Sequence, residues 1–80
     1  MIHRHFKGKY YLKLFNITNG DTQEDCVVYF PLYGKPRLFV RTLSDFYAWI
    51  NKTEYSYVGT RFTKVSLLEY LNSFNFRPSN

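Results

Sequence analysis

Arg37, Phe39 and Arg41 place two cations on either side of an aromatic residue, at alternate positions. In an extended strand, alternate side chains share a face, so two guanidinium forks would flank one flat ring. Guanidinium groups match phosphate oxygens in a planar, two-pronged fashion. An aromatic face holds a base or a ribose by stacking. The intervening Leu38 and Val40 would then point to the core. Tyr29 and Tyr33, on the outward face of the preceding strand, extend the ring surface. His5, Lys7 and Lys9 rim the same place if the first strand neighbours the second. In this reading Arg37, Arg41 and Lys7 meet phosphate, Tyr29, Tyr33 and Phe39 stack, and His5 donates a hydrogen bond. The competing reading makes Phe39, Tyr29 and Tyr33 a second core beneath a C-terminal helix, because small barrels bury residues on both faces near closure.

Other chemistries find less support. Acid–base catalysis wants paired carboxylates or an oriented histidine, whereas Asp21, Glu24 and Asp25 crowd into one turn. No G-x-S-x-G elbow, Cys–His pair or phosphate-binding loop is present, so no enzymatic activity and no cofactor are expected. His3 and His5 share a strand face, but a structural zinc needs four ligands and none is expected here. Cys26, beside Glu24 and Asp25, reads as a small buried hydrophobe rather than an activated thiol.

A formal charge of +5 is unevenly placed. Residues 1–13 carry Arg4, Lys7, Lys9 and Lys13 without an acid, and residues 26–44 carry Lys35, Arg37 and Arg41, again without one. Such segregation favours anionic partners through the summed field. Eighty residues with one cysteine cannot form an intrachain disulfide, so the core must rely on bulk. Eight Phe, eight Tyr and one Trp supply it, each burying roughly 150–250 Å². A single free thiol fits a reducing interior. No apolar run approaches the ~18 residues of a membrane span, and no apolar stretch follows the basic start as a secretory signal requires. A cytoplasmic protein without a membrane partner is expected.

The elements that must position these residues are short. Phe6 to Ile17 alternates as one strand, with Tyr10, Leu12 and Leu14 forming its apolar side. Asn19-Gly20-Asp21 suits a tight turn, since Asn and Gly accept positive φ. Cys26 to Tyr33 reads as a second strand, in which Pro31 requires an edge or a bulge. Gly34-Lys35-Pro36 turns the chain into a third, Arg37 to Arg41. Thr42-Leu43-Ser44-Asp45 has the spacing of a capped helical turn that carries Leu43 and Phe46 inward. Tyr47 to Ile50 fits either a helical turn or a strand, and Asn51-Lys52-Thr53 reads as a turn. Tyr55 to Val65 reads as one strand, with Gly59 marking a bulge or a close approach. Ser66-Leu67-Leu68-Glu69 is a capping box. It opens a helix whose stripe of Leu67, Leu68, Leu71 and Phe74 must dock on the sheet, because so short a helix does not hold alone. Asn75 suits its left-handed end.

With these residues laid out, the chain resembles a bacterial and phage family known only as domain of unknown function 1653, whose members look like small SH3-like barrels. The matching residues are His5-Phe6-Lys7-Gly8 and Tyr10, Val27-Val28-Tyr29, Leu32-Tyr33-Gly34, Leu38-Phe39-Val40-Arg41 with Leu43 and Phe46, and Arg61-Phe62. Phe39 stands where the family usually has Trp, and Thr42 and Thr60 stand where it usually has Pro. Arg61 of the matched Arg-Phe pair joins the ligand-binding candidates. The resemblance implies fold and carries no activity.

The expectation is therefore a mainly-β protein, a small SH3-like antiparallel β-barrel over residues 3–65. A short α-helix over residues 66–75 docks on it, and residues 76–80 form a tail. Its expected role is non-catalytic binding of a small anionic, nucleotide-like ligand, as in a phage-encoded sponge for a nucleotide signal. Single-stranded nucleic acid or a protein partner met through an adaptor groove are the alternatives, and the sequence leaves room for a homo-oligomer.

Overall fold

The computed structural model describes residues 1–74. The class is mainly β, as expected, with short helices. The basic start of the chain is itself a strand, β1 (Ile2–His5), which returns through residues 6–9 into β2 (Tyr10–Thr18). A single strand beginning at Phe6 is therefore replaced by a hairpin. Its turn needs Gly8 at φ +102°, a conformation open to a residue without Cβ.

The next turn falls at Asn19-Gly20-Asp21 as expected. There the Asn19 side-chain oxygen accepts from the backbone N–H groups of Asp21 (2.9 Å) and Thr22 (3.2 Å). The left-handed residue is Gln23 rather than Asn or Gly. The chain then forms β3 (Asp25–Pro31) and β4 (Phe39–Thr42). Pro31 ends β3 beyond its last pair with β4, Tyr29 opposite Phe39, so its missing N–H costs that ladder nothing.

Thr42 caps α1 (Leu43–Phe46) by accepting from the Asp45 N–H at 3.1 Å, and Phe46 is turned fully inward. The ambiguous segment after it resolves as β5 (Trp49–Lys52), so the turn lies later than Asn51-Lys52-Thr53. A 3-10 turn at Thr53–Tyr55 closes on a left-handed Ser56. What read as one strand from Tyr55 to Val65 is two, β6 (Tyr57–Thr60) and β7 (Phe62–Lys64), in different sheets. The larger sheet is ordered β4-β3-β2-β1-β7 and β5 pairs only with β6. Between the two sheets the Arg61 N–H donates to the Ala48 carbonyl at 2.7 Å.

Register decides which face is inside. His3 pairs with Tyr11, His5 with Phe62 and Tyr29 with Phe39, and this face carries the core of Val27, Tyr29, Phe46 and Phe62, with Tyr11, Phe39 and Leu43 packed against it. Phe46 and Phe62 stack at 4.2 Å. Phe39 and Arg41 thus lie on the core side, while Leu38 and Val40 are 65% and 55% exposed. That reverses the assignment made from alternation, and the apolar side of β2 (Tyr10, Leu12, Leu14) likewise faces outward. Alternation separates two faces without saying which is interior. Here the rings fill the interior, since they bury the most apolar area per residue.

Gly59 is the close approach expected of it. A Cβ there would stand 2.8 Å from the Tyr57 hydroxyl, which is pinned by donating to the Thr60 carbonyl. Gly59→Ala is expected to cost about 1–3 kcal/mol by overpacking, read as a lower urea midpoint. Adding Tyr57→Phe removes the nearest atom and should recover part of the loss.

The last element is α2 (Leu67–Asn72), capped by Ser66, whose hydroxyl accepts from the Glu69 N–H at 3.0 Å. The Glu69 carboxylate does not return to the cap. It pairs with Arg4 and accepts from the Tyr10 hydroxyl, while Tyr70 packs on Tyr10 at 5.3 Å. The helix therefore meets the outer sheet face through its polar side. Leu67, Leu68, Leu71 and Phe74 remain 50–67% exposed, contrary to the expected docking of that stripe. A second core under the helix is also ruled out, because Tyr29 and Phe39 belong to the core on the opposite sheet face. Asn75 and the tail lie outside the described residues. Among the described residues, no helix is long and apolar enough to cross a membrane.

Candidate anion-binding face

His5 sits at the end of β1, its ring edge-on to Phe62 at 4.8 Å and close to Phe6 at 4.4 Å. The backbone N–H of Lys7 donates to its Nδ1 at 3.1 Å. The neutral ring therefore carries its proton on Nε2, as a donor. Burial lowers its pKa from 6.5 to about 4, with Arg41, Arg61 and Lys7 pressing in the same direction. Those three cations come from β4, from the link between β6 and β7, and from the β1–β2 turn, so the fold gathers them from distant parts of the chain.

The low value has a consequence for stability. A histidine whose folded pKa lies below its unfolded one stabilises the fold fully above about pH 6.5, and that stability is lost as pH falls toward about 4. His3 acts in the same direction: burial lowers its pKa, partly opposed by its contact with the Met1 carbonyl. The denaturation midpoint is expected to fall between pH 6.5 and 4, and His5→Gln should flatten part of that slope.

The cations rest on rings. The Arg41 Nε donates to the Tyr29 hydroxyl at 2.8 Å, and its Cζ lies 5.8 Å from the Phe62 centroid. Arg37 lies over Phe39 at 5.1 Å, Lys9 over Tyr33 at 5.1 Å, and Lys7 near both Phe6 and Tyr55. Arg61 donates through Nε to the Asp45 carbonyl at 2.9 Å. Among the described residues the ion pair within 4 Å is Arg4–Glu69, on the other side of the sheet. A cation–π contact is worth about 0.5–1 kcal/mol at an exposed site and leaves the charge un-neutralised. The cations of this face thus stay charged without an ion-pair partner within 4 Å among the described residues.

His5, Arg41 and Arg61 come together as a cluster, Lys7 stands at its rim, and Tyr33 and Phe39 lie alongside. Two predicted roles change. Tyr29 is 4% exposed, so its ring cannot stack on a ligand, and it positions Arg41 through its hydroxyl instead. Arg37 and Arg41 do not flank Phe39 as a pair, because Arg41 reaches to Phe62 while Arg37 alone covers Phe39.

Sequence reasoning passed over Tyr11. Its hydroxyl shares a hydrogen bond with that of Tyr33, and its ring contacts Tyr29, Phe39 and Phe62. Burial, with that hydrogen bond, pushes the Tyr11 pKa up, so the hydroxyl stays protonated as a donor or acceptor. Its alternation with Lys9 and Lys13 along the sequence was the available signal. Two surface hollows lie elsewhere. One of about 500 Å³ is lined by Glu24, Asp25, Thr42, Leu43, Ser44 and Tyr47, and one of about 340 Å³ by Leu14, Phe30, Pro36, Arg37 and Leu38.

Fold and face together define a small mainly-β domain that presents unneutralised cations among aromatic rings. The chain belongs to the family described as protein of unknown function (DUF1653), whose model matches residues 1–64. It is similar to a crystal structure of a protein belonging to DUF1653 from Bordetella bronchiseptica, at 29% identity and a TM-score of 0.71, over 80% of this chain and 82% of that one. No curated protein matches the chain. Helix α2 lies beyond the residues matched by the family model.

Proposed function

We propose that the domain binds and sequesters a small anionic, nucleotide-like ligand without turning it over. The observation that carries this reading is the convergence of Arg41, Arg61 and Lys7 on His5, with Arg41 and the His5 ring both packed on Phe62 and no ion pair within 4 Å to any of the three cations among the described residues. Arg41 and Arg61 would take phosphate oxygens, the His5 Nε2–H would donate, and the half-exposed ring of Tyr33 would meet the base or sugar. Phosphate next to His5 would also raise its pKa, so binding takes up protons and tightens as pH falls toward the free-state value of about 4. The buried thiol of Cys26 supports a reducing, cytoplasmic setting.

The test is to heat-denature the purified protein and identify by mass spectrometry any small molecule released, then to titrate the emptied protein with adenosine diphosphate and with inorganic phosphate. Tighter binding of the nucleotide than of phosphate supports the reading, and binding of neither removes it. The further cations set over rings, Arg37 on Phe39 and Lys9 on Tyr33, favour a second reading, single-stranded nucleic acid laid across them. In that case affinity for an oligonucleotide exceeds that for the mononucleotide and falls steeply with salt.

A further inference from the structure

The side of the sheet opposite the cations is apolar, and its large side chains are exposed around Val28 and Cys26, which are buried between them. Phe15, Val28 and Val40 form a row across β2, β3 and β4, with Ile17 one pair further along. A bulge between Lys13 and Phe15 sets this register. Phe15, Ile17, Leu38 and Val40 are 39–65% exposed, and Leu14 is 41% exposed. The charged residue on the strand positions of this face is Arg4, already paired with Glu69. The helix standing beside it turns its own apolar stripe away. Leu67, Leu68, Leu71 and Phe74 are 50–67% exposed, and Glu69 is the charged residue of α2.

One chain thus holds two uncovered surfaces of matching chemistry, an apolar helix stripe and an apolar sheet face. We propose that the protein is a two-fold dimer in which α2 of each copy covers the outer sheet face of the other. Three observations favour a second copy as occupant. Nine large apolar side chains, each at least 39% exposed, bring the patch into the range of the roughly 800 Å² per partner that a stable interface buries. The charge of +5 opposes self-association in general. However, Lys7, Lys9, Arg41 and Arg61 are grouped with the rings of the other face, so copies meeting across the apolar face keep these four apart, while Arg37 stands at the edge of the patch beside Leu14 and Leu38. A six-residue helix held to its own sheet by Glu69 and Tyr70 also lacks the buried stripe that stabilises such helices, and exchange supplies it. Because a two-fold contact occurs twice, each copy gives one helix and receives one.

Sedimentation velocity on the full chain over a concentration series tests this, with circular dichroism as a check on folding. The wild type should show a dimer. Leu68→Glu on the stripe and Val40→Lys on the sheet should each weaken it about tenfold or more, by burying an unpaired charge. Both positions are exposed in a single copy, so the fold should survive. Mixing the two variants should restore a heterodimer, because the new carboxylate then faces the new ammonium while the other contact stays native. A monomer at every concentration overturns the proposal, as does a dimer indifferent to both substitutions. A dimer weakened by only one of the two variants overturns it in favour of helix-to-helix or sheet-to-sheet contact, and a dimer weakened by each but not restored on mixing overturns the exchange of helices. A wild-type monomer that dimerises once residues 75–80 are removed overturns it in favour of the tail as the native cover. Adenosine diphosphate binding is read separately and decides nothing here.

Discussion

Arg41→Ala is expected to lose adenosine diphosphate binding by about 10- to 100-fold, since hydrogen bonds to a charged group are each worth about 1.5–3 kcal/mol. The loss has to be separated from damage to the fold. The Arg41 Nε is the donor to the hydroxyl of Tyr29, a residue only 4% exposed. Stranding that hydroxyl should cost about 1–3 kcal/mol of stability, so binding is measured by calorimetry at a temperature where circular dichroism shows the variant folded. Arg41→Lys keeps the charge but not the planar fork, and should fall between wild type and Ala. Undiminished binding by the Ala variant would remove Arg41 from the function. A variant that does not fold at any temperature would make the residue a structural strut.

Phe62→Ala should be the most damaging single change to the fold. The residue is 1% exposed, stacks on Phe46 at 4.2 Å, and meets the rings of His5, Tyr11 and Tyr29 edge-on. Truncating a buried Phe costs about 3–5 kcal/mol, against a total of about 5–15 kcal/mol for ordinary domains. The urea midpoint should fall sharply, and cooperative unfolding should be lost if total stability lies near the lower end. Phe74→Ala is the contrast. That ring is 61% exposed, and in the monomer its removal should be nearly neutral. A Phe62→Ala protein as stable as Phe74→Ala would mean that the rings are not the core.

Much of the architecture was legible locally. Ser66 and Thr42 announced their helices through side chains three residues ahead of the N–H groups they satisfy. Asn19 announced its turn in the same way. These signals work because both partners lie within a few residues. The hairpin at Gly8 was missed because Phe6 to Ile17 already alternated, and alternation continues unbroken through a turn that places both arms in one sheet. The break at Arg61 was missed for a similar reason: what divides β6 from β7 is a change of partner strand, which composition does not record.

The sequence alone determined that this is a mainly-β protein dense in rings, with its cations segregated from its acids, and that His5 and Arg41 were worth naming, whereas Arg61 entered through the family resemblance. Those properties follow from residue type and short-range spacing. Only the tertiary structure decided that Phe39 and Arg41 lie on the core side while Leu38 and Val40 face out, that Tyr29 holds Arg41 instead of a ligand, and that α2 meets its own sheet through Glu69 and Tyr70. Each of these depends on strand pairing between residues far apart in the chain. A period of two distinguishes the faces of a strand, and it is the partners across the sheet that choose which face is buried.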